Sequence, residues 1–142
     1  MKKPAYPLQP IATVNSLARC LSVPLRDLRS VAENPAHFYR ANAPTPKKSD
    51  GTRQTFAVEP PLDLIQERIL HCILDKVQFP DYLFGVPGTS YVQNAQRHAG
   101  QKVLIREDAR NFYDSVPASA VQLLWQYFFH FPLEVASLLT SL

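Results

Sequence analysis

The chain has 142 residues, 46% of them hydrophobic and 19% charged, with a formal charge of +3 and an isoelectric point near 9.0. This suits about one ordinary soluble domain of ~100–200 residues, and the mild basic excess is only a weak pointer to a polyanionic partner. Two cysteines, Cys20 and Cys72, are too few for a disulfide framework and lie in no zinc-like spacing, so both read as reduced, idle thiols of a cytoplasmic protein.

The opening "MKKPAYPLQP" is basic but has no apolar run behind it, which excludes a signal peptide reading. Prolines at positions 4, 7 and 10, then 44 and 46, then 60 and 61 divide the chain into short elements. "TVNSLARCLSV" carries Val14, Leu17, Ala18 and Leu21 at helical spacing, with Thr13 available as cap. Pro24 opens a second helix, with Leu25, Leu28 and either Val31 or Ala32 on one face. Residues 1–36 are therefore expected to form an N-terminal helical region.

From His37 to Val58 the pattern turns extended, with "HFYRANAP" and "RQTFAV" on either side of "KKSDG". Asp50 and Gly51 suit the positive backbone angles of a tight hairpin. Arg40, Lys47, Lys48 and Arg53 face one acid, Asp50, across this stretch, so basic side chains sit at or beside the hairpin tip.

"PPLDLIQERILHCILDKV" begins with proline and places Leu62, Ile65, Ile69, Ile73 and Val77 at near-helical intervals, opposite a polar face of Gln66, Arg68 and Asp75. "FPDYLFGVPGTS" reads as a loop, and "SYVQNAQRHAG" as a short helix capped by Thr89 or Ser90 and stopped by Gly100. "KVLIRE" is a strand candidate ending at Asp108, and "NFYDSV" leaves it. "SAVQLLWQYFFHF" is expected as a helix with Leu123 or Leu124, Phe128 and Phe131 facing the core. Trp125, Tyr127 and Phe128 could offer a base-stacking platform, but at helical spacing beside leucines they read better as core.

The apolar stretch from Ala120 to Leu142 is interrupted by Gln122, Gln126, His130, Pro132 and Glu134, which argues against a membrane span. Its last part, "LEVASLLTSL", has a greasy face that expects a partner outside the chain, as in a piece of a larger domain.

A basic hairpin, a helix with a polar face, a glycine-bearing loop followed by Asn94 and His98, and a strand ending in an aspartate are parts that a polymerase needs. Basic side chains hold a triphosphate by charge and hydrogen bonds, and carboxylates hold the divalent ions of phosphoryl transfer. Taken alone, Asp108 would be a turn or capping aspartate, and at least one of Phe112 and Tyr113 would be core.

The blocks "KKSDGTRQTFAVEPPLDLIQERILHCIL", "LFGVPGTSYVQNAQRHAG" and "VLIREDARNFYDSV" together resemble, in order and spacing, the fingers and motif A blocks of bacterial reverse transcriptases of the retron and group II intron type. The resemblance runs over roughly residues 11 to 131. It implies that Asp108 is the first metal-binding carboxylate, for Mg²⁺. It makes Tyr113 the steric gate under the incoming sugar, and Arg53 and Lys48 contacts of the deoxynucleotide triphosphate. Lys47, Asn94 and His98 would lie on the nucleic-acid side. The remaining histidines, His37, His71 and His130, have no partner spacing.

Ala109 stands where that family usually has a larger aliphatic residue, and Arg106 and Glu107 make the approach to Asp108 unusually polar. The family's Tyr-x-Asp-Asp motif would lie beyond residue 142, and no Asp-Asp pair occurs in the chain. One carboxylate cannot clamp two magnesium ions.

The expectation is therefore an α+β fold in which helices pack on a small antiparallel hairpin, with the first part of an incomplete polymerase palm. Residues 37–100 would be fingers-like and 101–142 the start of the palm. The function implied is that of an N-terminal fragment of an RNA-directed DNA polymerase, inactive alone, with an RNA template and primer, such as a retron non-coding RNA, and a missing palm and thumb as partners. Antiviral defence is a further implication of the resemblance. The alternative is a non-catalytic RNA-binding remnant, or a subunit that docks a separate palm chain.

Overall fold

The structure, a computed structural model, describes residues 2–46, 51–109 and 112–142, without the side chain of Asp114. It is a mixture of helices and two small antiparallel sheets, as an α+β reading requires.

Helix α1 spans Val14–Leu21. Thr13 starts it, its side-chain oxygen accepting the Ser16 N–H at 3.1 Å, which satisfies one of the free donors of the first turn. Ser22, in the left-handed region at φ 53°, ends it. The expected face of Val14, Leu17, Ala18 and Leu21 is the buried one. Helix α2, Leu25–Glu33, follows Pro24 and buries Leu28 and Val31, with Ala32 only half-buried.

The hairpin forms in two steps. Strand β1, Tyr39–Ala41, pairs with β4, Phe56–Val58, in the register Tyr39 to Val58 and Ala41 to Phe56. Further out, β2, Thr45–Pro46, pairs with β3, Thr52–Arg53. The tip, with Lys47 and Lys48, lies outside the described residues. Gly51 at φ 108° occupies backbone that a side chain would strain.

Helix α3 is shorter than its apolar period suggests. It runs Leu62–Cys72, and Ile73 then leaves helical geometry for a 3-10 turn, Leu74–Lys76. Leu62, Ile65, Ile69 and Ile73 are nevertheless all buried. Helix α4, Tyr91–Arg97, opens with a complete capping box between Ser90 and Gln93, so Ser90 rather than Thr89 is the cap. It buries no side chain. What holds it to the preceding loop is Arg97, 3.1 Å from Asp81 and stacked 5.4 Å above the Phe84 ring.

Residues 101–109 contain no strand, against the expectation for "KVLIRE". An apolar run becomes a strand only by pairing, and no described strand lies beside it. Val103 and Ile105 are 77% and 80% exposed. A short helix, α5, spans Phe112–Ser115.

Helix α6, Ala118–Tyr127, matches the expected face only in part: Trp125 and Phe131 are buried as expected, together with Phe129, whereas Leu123 and Leu124 are each 50% exposed and Tyr127, read as core, points to solvent. Phe128 is half-buried. The aromatics stack on one another, Trp125 and Phe131 within 5° of parallel and Tyr6 edge-on to Phe129 at 4.8 Å.

The final helix, α7, Leu133–Ser141, also corrects an expectation. Its apolar face is covered inside the chain, with Val135, Ala136 and Leu139 buried against α6, α2 and α1. One core thus joins α1, α2, α3, α6 and α7. Gln66 ties its edge together, donating to the Tyr39 hydroxyl and to the Leu142 carbonyl, each at 2.9 Å.

Candidate nucleotide and nucleic-acid interface

The positively charged side of the candidate site begins on the hairpin. Arg53 ends β3, exposed, across the strand from Thr45. Arg40, one ladder below, has its Nε 2.9 Å from a Glu59 carboxylate oxygen. An exposed pair of this kind is worth about 0–1 kcal/mol, so it steers Arg40 toward the strand rather than anchoring the fold. Gln54 donates to the carbonyls of Asn42 and Thr55 at 2.7 and 2.9 Å, which fixes the neck between the two strand pairs.

The acidic side lies on the 101–109 segment. Asp108 and Glu107 are both exposed there. The described part of α5 starts at Phe112, four positions after Asp108. Phe112 and Tyr113 meet edge to face at 5.5 Å, but neither enters the core, and Tyr113 is 90% exposed. Asn94 lies mid-way along α4 and His98 at its C-cap, both exposed.

Among the described residues no hydrogen bond or ion pair joins Arg53, Asn94, His98, Asp108 and Tyr113 to one another. Nor do those residues contain a group of three or more His, Cys, Asp or Glu side chains arranged to hold a metal. Magnesium asks for near-octahedral oxygen ligands. Asp108 is of the right chemical type but is a single carboxylate, so the described residues do not make a magnesium centre by themselves.

Two organising contacts had no signal in the sequence. Arg97 finds Asp81 sixteen residues away, and Gln66, readable only as part of a polar helix face, bridges α3 to β1 and to the end of α7. No helix is long and apolar enough to cross a membrane among the described residues.

No protein-family model matches the chain. Similarity to individual proteins does appear. The chain is 28% identical over 145 aligned positions to the Retron Ec48 reverse transcriptase of Escherichia coli, with 94% of this chain and 36% of that protein covered. It is 29% identical over 143 positions to the Retron Se72 reverse transcriptase of Salmonella heidelberg, covering 100% of this chain and 38% of the relative. The Retron Mx65 reverse transcriptase of Myxococcus xanthus matches at 32% over 78 positions, 54% of this chain and 18% of that protein. The resemblance read from the order of the motifs is borne out. The chain spans little more than a third of the length of the first two relatives.

Proposed function

We propose, from the premise that this chain is a relative of the retron reverse transcriptases, that it supplies the fingers and the first catalytic aspartate of an RNA-directed DNA polymerase. Arg53, with Lys48, holds the triphosphate of an incoming deoxynucleotide. Tyr113 lies under its sugar and disfavours a 2′-hydroxyl. Lys47, Asn94 and His98 meet the template and primer, for which a structured non-coding RNA is the natural candidate. Asp108 shares Mg²⁺ with carboxylates from the remainder of the polymerase, since one carboxylate is insufficient. The setting of such chemistry is the cytoplasm.

The observation that carries this reading is the near full-length similarity of the chain to two retron reverse transcriptases. The exposure of Asp108 and Tyr113, five positions apart, is consistent with a surface awaiting substrate and further protein. The test is a chimera in which residues 1–142 replace the aligned segment of the Escherichia coli relative. Primer extension on its RNA should proceed, and Asp108→Asn should lower it by at least about 10²-fold, the scale of losing one electrostatic stabiliser. Undiminished extension by that variant removes Asp108 from catalysis.

The second reading is a non-catalytic RNA-binding subunit, for which the chain's mild basic excess is the support. Its mark would be binding of RNA by this chain alone that ignores Mg²⁺ and falls steeply with salt, with a slope set by the phosphates contacted.

A further inference from the structure

Residues 102–107, "KVLIRE", have the composition of a strand but no described strand to join. No backbone hydrogen bond links them to another described residue, and Val103, Leu104 and Ile105 are 77%, 65% and 80% exposed. Three consecutive large apolar side chains in solvent, on backbone that has no described partner, make an edge that another extended segment can complete. The charges beside this edge are unevenly placed. Lys102 stands before the apolar run, Arg106 directly after it, and Glu107 and Asp108 beyond, all of them exposed. None of the four makes an ion pair with a described residue.

We propose that this segment is the surface through which two copies of the chain pair as antiparallel strands, with Lys102 of each copy against Glu107 and Asp108 of the other. Charge decides the direction. Parallel pairing would set Lys102, Arg106, Glu107 and Asp108 each against its own copy, and like charges directly opposite are destabilising. Antiparallel pairing reverses one strand, so the basic start of each copy meets the acidic end of the other, twice over by the two-fold axis. It also brings Leu104 and Ile105, at the middle of the segment, against the same residues of the second copy, where apolar cross-strand pairs add to the ladder. Arg106 then falls over the apolar run of the other copy, which its aliphatic stem covers while the guanidinium stays in water. Two short strands alone are marginal in water. The dimer is therefore weak, sensitive to salt and formed only when the chain is concentrated. The inference is independent of the polymerase reading.

The mass of the whole chain is followed by analytical ultracentrifugation over rising concentration at low ionic strength. The natural chain should pass from one copy to two, and added salt should reverse the change. Lys102→Glu leaves acids at both ends of the segment, and Glu107→Lys with Asp108→Lys leaves bases at both ends. Each variant alone should remain monomeric where the natural chain is dimeric, its dissociation constant raised on the order of tenfold or more. Mixed one to one, the two should form a mixed dimer, because every end again meets the opposite charge. Leu104→Ser with Ile105→Ser, which keeps all the charges, should also remain monomeric. Melting curves at a concentration where the natural chain is monomeric establish that the variants are folded. A natural chain that stays monomeric throughout, a dimer that either charge variant retains, or charge variants that stay apart when mixed would each overturn the proposal.

Discussion

The segment from Val14 to Val31 and the segment from Val103 to Ala109 both carry runs of apolar residues, yet the first is the heart of the core and the second lies in solvent. The difference is not hydrophobicity but partners. Leu17, Leu21 and Leu28 sit on helices, which hydrogen-bond their backbone locally, so burial follows directly from their spacing. Val103, Leu104 and Ile105 would need a neighbouring strand to satisfy their backbone before their side chains could be buried. Stability is therefore concentrated in one region and the candidate chemistry in the other.

That contrast can be broken by mutation, beginning in the core. Phe129→Ala should cost about 3–5 kcal/mol in urea unfolding, since a large buried ring leaves a cavity among Trp125, Phe131 and Tyr6. Gln66→Ala should cost about 1–2 kcal/mol by losing two hydrogen bonds that tie the hairpin and α7 to α3. Thr13→Ala should cost about 1 kcal/mol through the lost cap of α1. Ile105→Ser and Asp108→Asn should both stay within about 0.5 kcal/mol of the natural chain. A large loss from either would mean that 101–109 is packed, and the contrast would fail.

A pH titration sharpens the same comparison without mutation. Burial raises the Tyr6 phenol, with Cys20 reinforcing it, and burial with Cys72 raises the Cys20 thiol. A raised folded-state value favours the protonated form, so this contribution is complete below the ordinary thiol value of 9.0 and is lost as pH rises through the folded value. Melting temperature should decline on the alkaline side, and Cys20→Ser should blunt the decline. An unchanged alkaline limb would detach these groups from the core's stability.

Helical spacing made α1, α2 and the core face of α3 legible in the sequence, because a 3.6-residue period names the buried positions directly. It succeeded only in part at α6, placing Trp125 and Phe131 in the core but not choosing against Leu123 and Leu124, since several apolar faces are on offer and packing against α7 selects among them. It failed at 102–107, since alternation describes a strand only when a neighbour exists. The family resemblance was legible as an order of motifs, which similarity to the retron relatives supports. The geometry of the candidate site was not, because contacts such as Arg97 with Asp81 depend on how a loop folds back.

The core joins elements far apart in the sequence: Phe129, Phe131, Val135 and Leu139 cover the cleft that α1, α2 and α3 leave open. On the ribosome, a nascent chain that has emerged only as far as α4 would therefore present Leu17, Leu28 and Ile65 to chaperones rather than to a finished interior. We predict that this core forms only once α7 is available, and a force-profile measurement with stalled chains of increasing length would show no folding pull until α7 has cleared the exit tunnel. A pull at the length of α3 would mean that the first three helices are self-sufficient.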